Sequence, residues 1–154
     1  MILEILGITL LIGIIFFGLV SIDQKKKSET LKSTVLSRLK SIGLLEHKGK
    51  HLLFKKEDQT YEVLFYYVPL NSDLTINSRS IWEIRDASKS RLIDQTYFLS
   101  SKYQKLVVVY PTSIAIKRYI NENELEFVKF NKPFYDMYVI RHFELDEWIK
   151  EVVT

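Results

Sequence analysis

The chain is 154 residues long, 47% hydrophobic and 13% aromatic, with a net charge of +3. So much apolar surface excludes a disordered tail, and the length left after an apolar N-terminus suits one domain. The absence of cysteine excludes a disulfide framework, a thiolate nucleophile and every sulfur-ligated zinc site.

The charge is unevenly placed. Lys25 to Lys56 holds ten Lys and Arg against Glu29 and Glu46, a balance of +8, whereas Glu57 to Thr154 holds twelve bases and fifteen acids, a balance of −3. Basicity concentrated beside a hydrophobic segment points to an anionic phospholipid surface before nucleic acid.

Ile5 to Ile22 is eighteen residues without a charge. As a helix it would be roughly 27 Å long, close to the roughly 30 Å hydrocarbon core of a bilayer. Glu4 in place of a basic flank, and no small-x-small site after Phe17, favour an uncleaved anchor over a signal peptide. Lys25, Lys26 and Lys27 then place the following domain on the cytoplasmic side by the positive-inside rule, with the N-terminus outside. The expected organisation is a transmembrane anchor at 1–22, a basic juxtamembrane linker at 23–27 and a cytoplasmic α/β domain at 28–154. Its Lys-rich, Cys-free composition is bacterial or phage-like in character.

Beyond the lysines, Ser28 is placed as the N-cap of a helix with Leu31, Val35, Leu36, Leu39 and Ile42 on one stripe, stopped at Gly43. His51 to Lys56 and Thr60 to Val68 read as a hairpin around the turn Glu57 to Gln59, closed by Pro69. A third strand is expected at Ser80 to Arg85, with Trp82 and Ile84 facing a core, and a helix at Ala87 to Tyr103. Leu106 to Tyr110 has no polar position, the pattern of a strand covered on both faces. A short helix capped by Thr112 or Ser113 is expected through Ile120. Two strands at 124–130 and 134–143, joined by the turn "NKP", precede an amphipathic helix from Leu145 to Val153. Interleaved in this way, the elements predict one mixed sheet flanked by helices, of α/β or α+β class.

The order α-β-β-β-α-β from Ser28 to Tyr110, with Asp73 ahead of "IWEIR", resembles the core of the restriction-endonuclease-like superfamily. The resemblance covers about half of the chain. It implies a metal-dependent nuclease site in which Asp73 and Glu83 hold a divalent ion, while Arg85 stands at the position of the family's lysine. Arginine stays protonated and can position a phosphate but cannot accept a proton from water.

Other motifs are sparse. His47 and His51 are separated by Gly49, which spoils a shared helical face, and His142 reads as a hydrogen-bonded residue at a strand end. There is no Gly-rich phosphate loop, Gly-x-Ser-x-Gly or His-Glu-x-x-His motif, so no cofactor is called for. The aromatic doublets lack the interleaved bases of a single-strand-binding surface. The sequence therefore points to a non-catalytic tethering or interaction role at a membrane's inner face. The expected partners are the lipid bilayer, met by Lys25, Lys26 and Lys27, and a protein. A tethered nuclease acting on nucleic acid is the alternative.

Overall fold

A computed structural model describes residues 2–111 and 115–153, with side chains described at residue 13 and over 18–111 and 115–153. The elements are helix α1 (Ile2–Lys40), strands β1 (Leu44–Lys48), β2 (His51–Lys56), β3 (Gln59–Val68), β4 (Asp73–Ile76), β5 (Ile81–Arg85) and β6 (Ser90–Asp94), and the single turn α2 (Thr96–Leu99). Strands β7 (Gln104–Pro111), β8 (Ile116–Asn121), β9 (Glu124–Phe127) and β10 (Met137–Arg141) follow. The chain ends in a 3-10 turn (His142–Glu144), the α-helical turn α3 (Leu145–Trp148) and a π-helical turn (Ile149–Val153).

Among the described residues the strands form two five-stranded sheets. Sheet A has the order β1-β2-β3-β7-β10 and sheet B the order β6-β5-β4-β8-β9. Pairing is antiparallel except for β3 with β7, β7 with β10 and β4 with β8. The parallel pairs arise because the chain leaves sheet A for sheet B twice, after β3 and after β7. Pro69 and Pro111 mark both departures, since a residue without an N–H cannot continue a central ladder.

Side chains alternate across sheet A into two cores. Tyr66, Val68, Val107, Val109 and Val139 meet Leu74, Ile76, Trp82, Ile84 and Ile116 of sheet B. On the opposite face Tyr61, Val63, Leu106, Val108 and Ile140 meet Val35 and Leu39 of α1 and Leu145, Trp148 and Ile149 of the C-terminal turns. The result is three layers: helices, sheet A, sheet B. The expected burial of Leu106 to Tyr110 on both faces holds, as do the inward Trp82 and Ile84, the stripe on α1 and the apolar face of the C-terminal segment.

Several expectations are corrected. Much of the anticipated span Ile5 to Ile22 falls on residues whose side chains lie outside the described ones, and among the described residues no helix is long and apolar enough to cross a membrane. In the part of α1 whose side chains are described continuously, from Gly18 onward, only Gly18 to Ile22 precede Asp23, Lys25, Lys26, Lys27 and Glu29, so no eighteen-residue apolar window occurs there. The single-pass anchor, the outside N-terminus and the cytoplasmic placement that depended on it are therefore overturned. Residues 23–27 are helix interior, and Ser28 begins no new helix.

The class is α+β with two mixed sheets, in place of one sheet flanked by helices. Ala87 to Tyr103 holds a strand and one helical turn, because β6 completes the antiparallel ladder with β5 from Ile81↔Asp94 to Arg85↔Ser90. Of the expected helix reaching Ile120, residues 112–114 lie outside the described ones and Ile116–Asn121 is a strand, its Ile116 buried and its Lys117 on the outer face. The strands before and after "NKP" are no hairpin, since β9 belongs to sheet B and β10 to sheet A. From Ser28 to Tyr110 the observed order is α1-β1-β2-β3-β4-β5-β6-α2-β7.

Leu39 of α1 is fully buried against sheet A, so Leu39→Ala should lower unfolding free energy by about 2–5 kcal/mol in urea titration. A Cβ at Gly43 would lie 2.4 Å from the Lys55 carbonyl oxygen and 2.6 Å from the Phe54 ring. Gly43→Ala should thus cost about 1–3 kcal/mol in the same assay by overpacking.

Candidate functional site

Three places gather the chain's chemistry: the outer face of sheet B, a buried ionic cluster at one end of sheet A, and a cleft where α1 meets the ends of β3 and β7.

The outer face of sheet B carries the residues singled out from sequence. Asp73 is on β4, not in a loop, and pairs in register with Arg85 while Thr75 pairs with Glu83. Asp73 and Glu83 are therefore diagonal neighbours on adjacent strands. Each is engaged separately. Asp73 accepts a hydrogen bond from Lys117 Nζ at 3.0 Å. Glu83 accepts from Arg85 at 2.8 and 3.1 Å, from Asn77 at 3.4 Å and from the Ser90 hydroxyl. The Ser90 hydrogen bond, helped by Arg85 and Asn77 and opposed by burial, holds the Glu83 carboxyl below the ordinary carboxylate range. Arg85 thus serves Glu83, its neighbour two residues back on the same face. Among the described residues no three His, Asp or Glu side chains are grouped so as to hold a metal ion.

Sequence reasoning missed the second cluster. Glu62 on β3 and Lys105 on β7 are register partners, buried to 3% and 1% exposure, on the sheet A face that turns toward sheet B. Their ion pair spans 3.2 Å between Lys105 Nζ and Glu62 Oε2. Lys105 also donates to the carbonyl oxygens of Ser101 at 2.9 Å and Tyr103 at 2.5 Å, and to Ser101 Oγ at 2.6 Å. Ser101 in turn donates its hydroxyl proton to Glu62. His51 Nδ1 lies 2.5 Å from Glu62 Oε1 and donates there, because an ionised carboxylate can only accept. The His51 ring stacks on Tyr97 of α2 at 5.9 Å.

Burial acts to raise the Glu62 pKa, but hydrogen bonds from Ser101, His51 and Lys105, with the Lys105 charge, outweigh it and lower the value. Ser101 donates its hydroxyl proton to Glu62 and receives one from Lys105, so the two are not arranged as a nucleophile and its base. The cluster clamps the connection from α2 to β7 onto sheet A. Its only sequence signal was a lone charge inside, or beside, an otherwise apolar strand run: Glu62 in "TYEVLFYYV" and Lys105 before "LVVVY".

The third place is a cleft of about 260 Å³. Gln24, Lys27 and Ser28 of α1 form one wall, and Tyr67, Pro69, Leu70 and Pro111, at the carboxyl ends of the parallel strands β3 and β7, form the other. Tyr67 and Leu70 are 45% and 61% exposed. Behind the cleft, Tyr110 packs edge-on against Tyr67 at 5.7 Å and lies 5.3 Å below the Lys32 ammonium. Partial burial disfavours the Lys32 charge, yet hydrogen bonds to Tyr110 and Glu29 prevail and raise its pKa.

Lys25 and Lys26 are exposed on α1, and Lys27 forms an ion pair with Asp23 at 2.7 Å. Of the three lysines only Lys27 lines the cleft; Lys25 and Lys26 lie on another face of α1, with Ile22, Glu29 and Thr30. His47 is exposed on β1 and apart from the His51–Glu62 contact. His142 follows β10, held by a hydrogen bond with the Pro111 backbone, while burial lowers its pKa.

Comparison with family models, with curated proteins and with solved structures found no match to this chain.

Removing either half of the buried pair leaves an uncompensated charge, so Glu62→Gln or Lys105→Met should destabilise by about 3–5 kcal/mol in chemical denaturation. The double substitution should cost less than the sum of the two. Glu62 titrates lower when folded than when unfolded, so its contribution is present above about pH 4.3, the unfolded value, and is lost as pH falls through the folded value. The acid-side decline of the urea midpoint should therefore be shallower in Glu62→Gln than in the parent.

Proposed function

We propose that this protein is a non-catalytic interaction module whose cleft between α1 and sheet A takes an acidic, apolar-anchored segment of a partner protein. The observation that carries the reading is the cleft itself. It joins exposed apolar surface, Tyr67 and Leu70, to a wall from the most basic part of the chain. A site that binds a peptide needs a pocket for an anchor side chain and a rim that fixes sign and direction, and both are present.

Charge supports the assignment of an acidic partner. On α1, Lys27 lines the cleft and Lys32 lies over Tyr110 behind it, with Asp23 and Glu29 as their acidic neighbours. The ion pairs of Lys27 with Asp23 and of Lys32 with Glu29 are solvent-exposed on the acid side and cost little to exchange for a partner carboxylate. The carboxylates singled out elsewhere each have a cation partner within the fold, Glu62 with Lys105, Glu83 with Arg85 and Asp73 with Lys117, which makes them parts of the scaffold in this reading.

The test is fluorescence anisotropy of the full chain with a labelled peptide of glutamates around one leucine, beside a DNA duplex of matched charge. Peptide binding should weaken with added salt, fall at least tenfold in Leu70→Asp and Lys27→Glu, and stay unchanged in Lys129→Glu, a residue exposed away from the cleft. Binding of the duplex alone, or peptide binding indifferent to Leu70 and Lys27, would overturn the reading.

A further inference from the structure

The β8–β9 end of sheet B holds a second hollow, of about 60 Å³, which shares no lining residue with the cleft. Three bases line it, Arg118 of β8 with Lys129 and Lys132 from the turn after β9, against one acid, Glu126 of β9. Such a concentration is unexpected in a part of the chain that is acidic on balance from Glu57 onward.

Each base is placed by the fold. Arg118 lies on the core side of β8, its guanidinium carbon 4.6 Å from the centroid of the buried Phe134 ring. Stacking on an aromatic face holds the planar guanidinium in one orientation. Arg118 Nε and Nη2 both reach the same oxygen of Glu126, Oε1. A guanidinium has more N–H groups than one oxygen can engage, so Nη1 is left for a ligand. Lys129 and Lys132 are the two ends of a β-turn, in which the Lys132 N–H donates to the Lys129 carbonyl at 3.2 Å. Their Cα atoms are thereby held within about 7 Å of each other. Asn131, inside the turn, ties it down by donating to the Glu151 carboxylate at 2.7 Å. Among the described residues neither lysine forms an ion pair. Like charges gathered in this way are favoured by an anion between them.

We propose that this hollow binds the phosphate group of a phosphate monoester, with Arg118, Lys129 and Lys132 each donating to its oxygens. Three positive charges less that of Glu126 leave a surplus of two. A monoester dianion, with three terminal oxygens, matches both the surplus and the three donors, whereas a carboxylate has one charge and two oxygens. The hollow has room for a few waters, so it takes the phosphate group alone. Phe127, 68% exposed at the rim, offers apolar contact to whatever carries that group. A nucleic-acid strand suits the place less well, because Glu122 and Glu124, exposed where β8 turns into β9, repel a polyanion running past the hollow. The carrier is a small molecule or a phosphorylated protein side chain, which present the same chemistry.

The test is an amide and side-chain NMR titration of the full chain with inorganic phosphate, a nucleoside monophosphate and a phosphoserine peptide, beside acetate and a single-stranded DNA. The Arg118 Nε–H and the Lys132 amide signals should shift saturably with the monoesters. Apparent affinity should fall at least tenfold in Arg118→Gln and in Lys132→Glu, and stay unchanged in Lys50→Glu, on the turn between β1 and β2. Lys132 is exposed, so its substitution should leave the unfolding midpoint of the free protein unchanged and keep the test independent of folding. Lys129→Glu should also weaken phosphate binding while the acidic peptide still enters the cleft, which separates the two sites. Tightest binding of the phosphopeptide supports the site with a modified protein as its ligand, and tightest binding of the nucleotide or of inorganic phosphate supports it with a small molecule. No saturable shift with any of the three, an equal response to acetate, tighter binding of the DNA, or shifts indifferent to both Arg118→Gln and Lys132→Glu would overturn the proposal.

Discussion

The rest of the structure is referenced to one constraint, the burial of β7 on both faces. Val107 and Val109 require a second sheet on one side, while Leu106 and Val108 require helices on the other, so the three-layer order follows from the absence of a polar position in this strand. Its neighbours β3 and β10 lie parallel to it, which obliges the chain to travel away and return between them. The excursions are the strands of sheet B. Two mixed sheets are therefore the topological result of a central parallel strand whose connections are themselves β-structure.

That arrangement creates a problem where sheet B stops short of covering sheet A, at the beginnings of β3 and β7. There the covering role passes to α2 and the connection after it, and the polar backbone of that connection needs partners. Lys105 supplies them to the carbonyls of Ser101 and Tyr103, and Glu62 neutralises Lys105 and receives Ser101 and His51. A buried ion pair adds little net stability over apolar packing, but its directional demands fix one position for a segment that has few apolar contacts of its own.

At the opposite end of the same strands the solution is different. Pro69 and Pro111 end the ladders, α1 continues past the sheet, and the space between them is the cleft. The basic residues of α1 and the apolar residues of the strand ends meet there, because the helix that covers β7 is also the most basic part of the chain. The diagonal pair Asp73 and Glu83 sits on the outer face of sheet B, where each carboxylate is taken up by its own cation. Asp73 and Glu83 are adjacent only through the antiparallel pairing of β4 with β5, in which a strand unrecognised in the sequence supplies Asp73.

What the sequence alone determined were the elements whose local pattern and final environment agree. The stripe on α1, the hairpin of β2 and β3, the doubly buried β7 and the amphipathic C-terminus each carry enough apolar periodicity to define a face. What only the tertiary structure decided was any element defined by its neighbour. Ser90 to Asp94 has helix-compatible spacing and became a strand because β5 offered it a ladder; Ile116 to Asn121 did the same beside β4 and β9. The charge-free run at 5–22 suggested a membrane span, but among the described residues no helix is long and apolar enough to cross a membrane. Glu62 and Lys105 lie forty-three positions apart, and only the parallel register of β3 with β7 brings them together. A one-dimensional pattern records which face of an element is apolar, but which element lies against that face depends on pairings between residues distant in the chain.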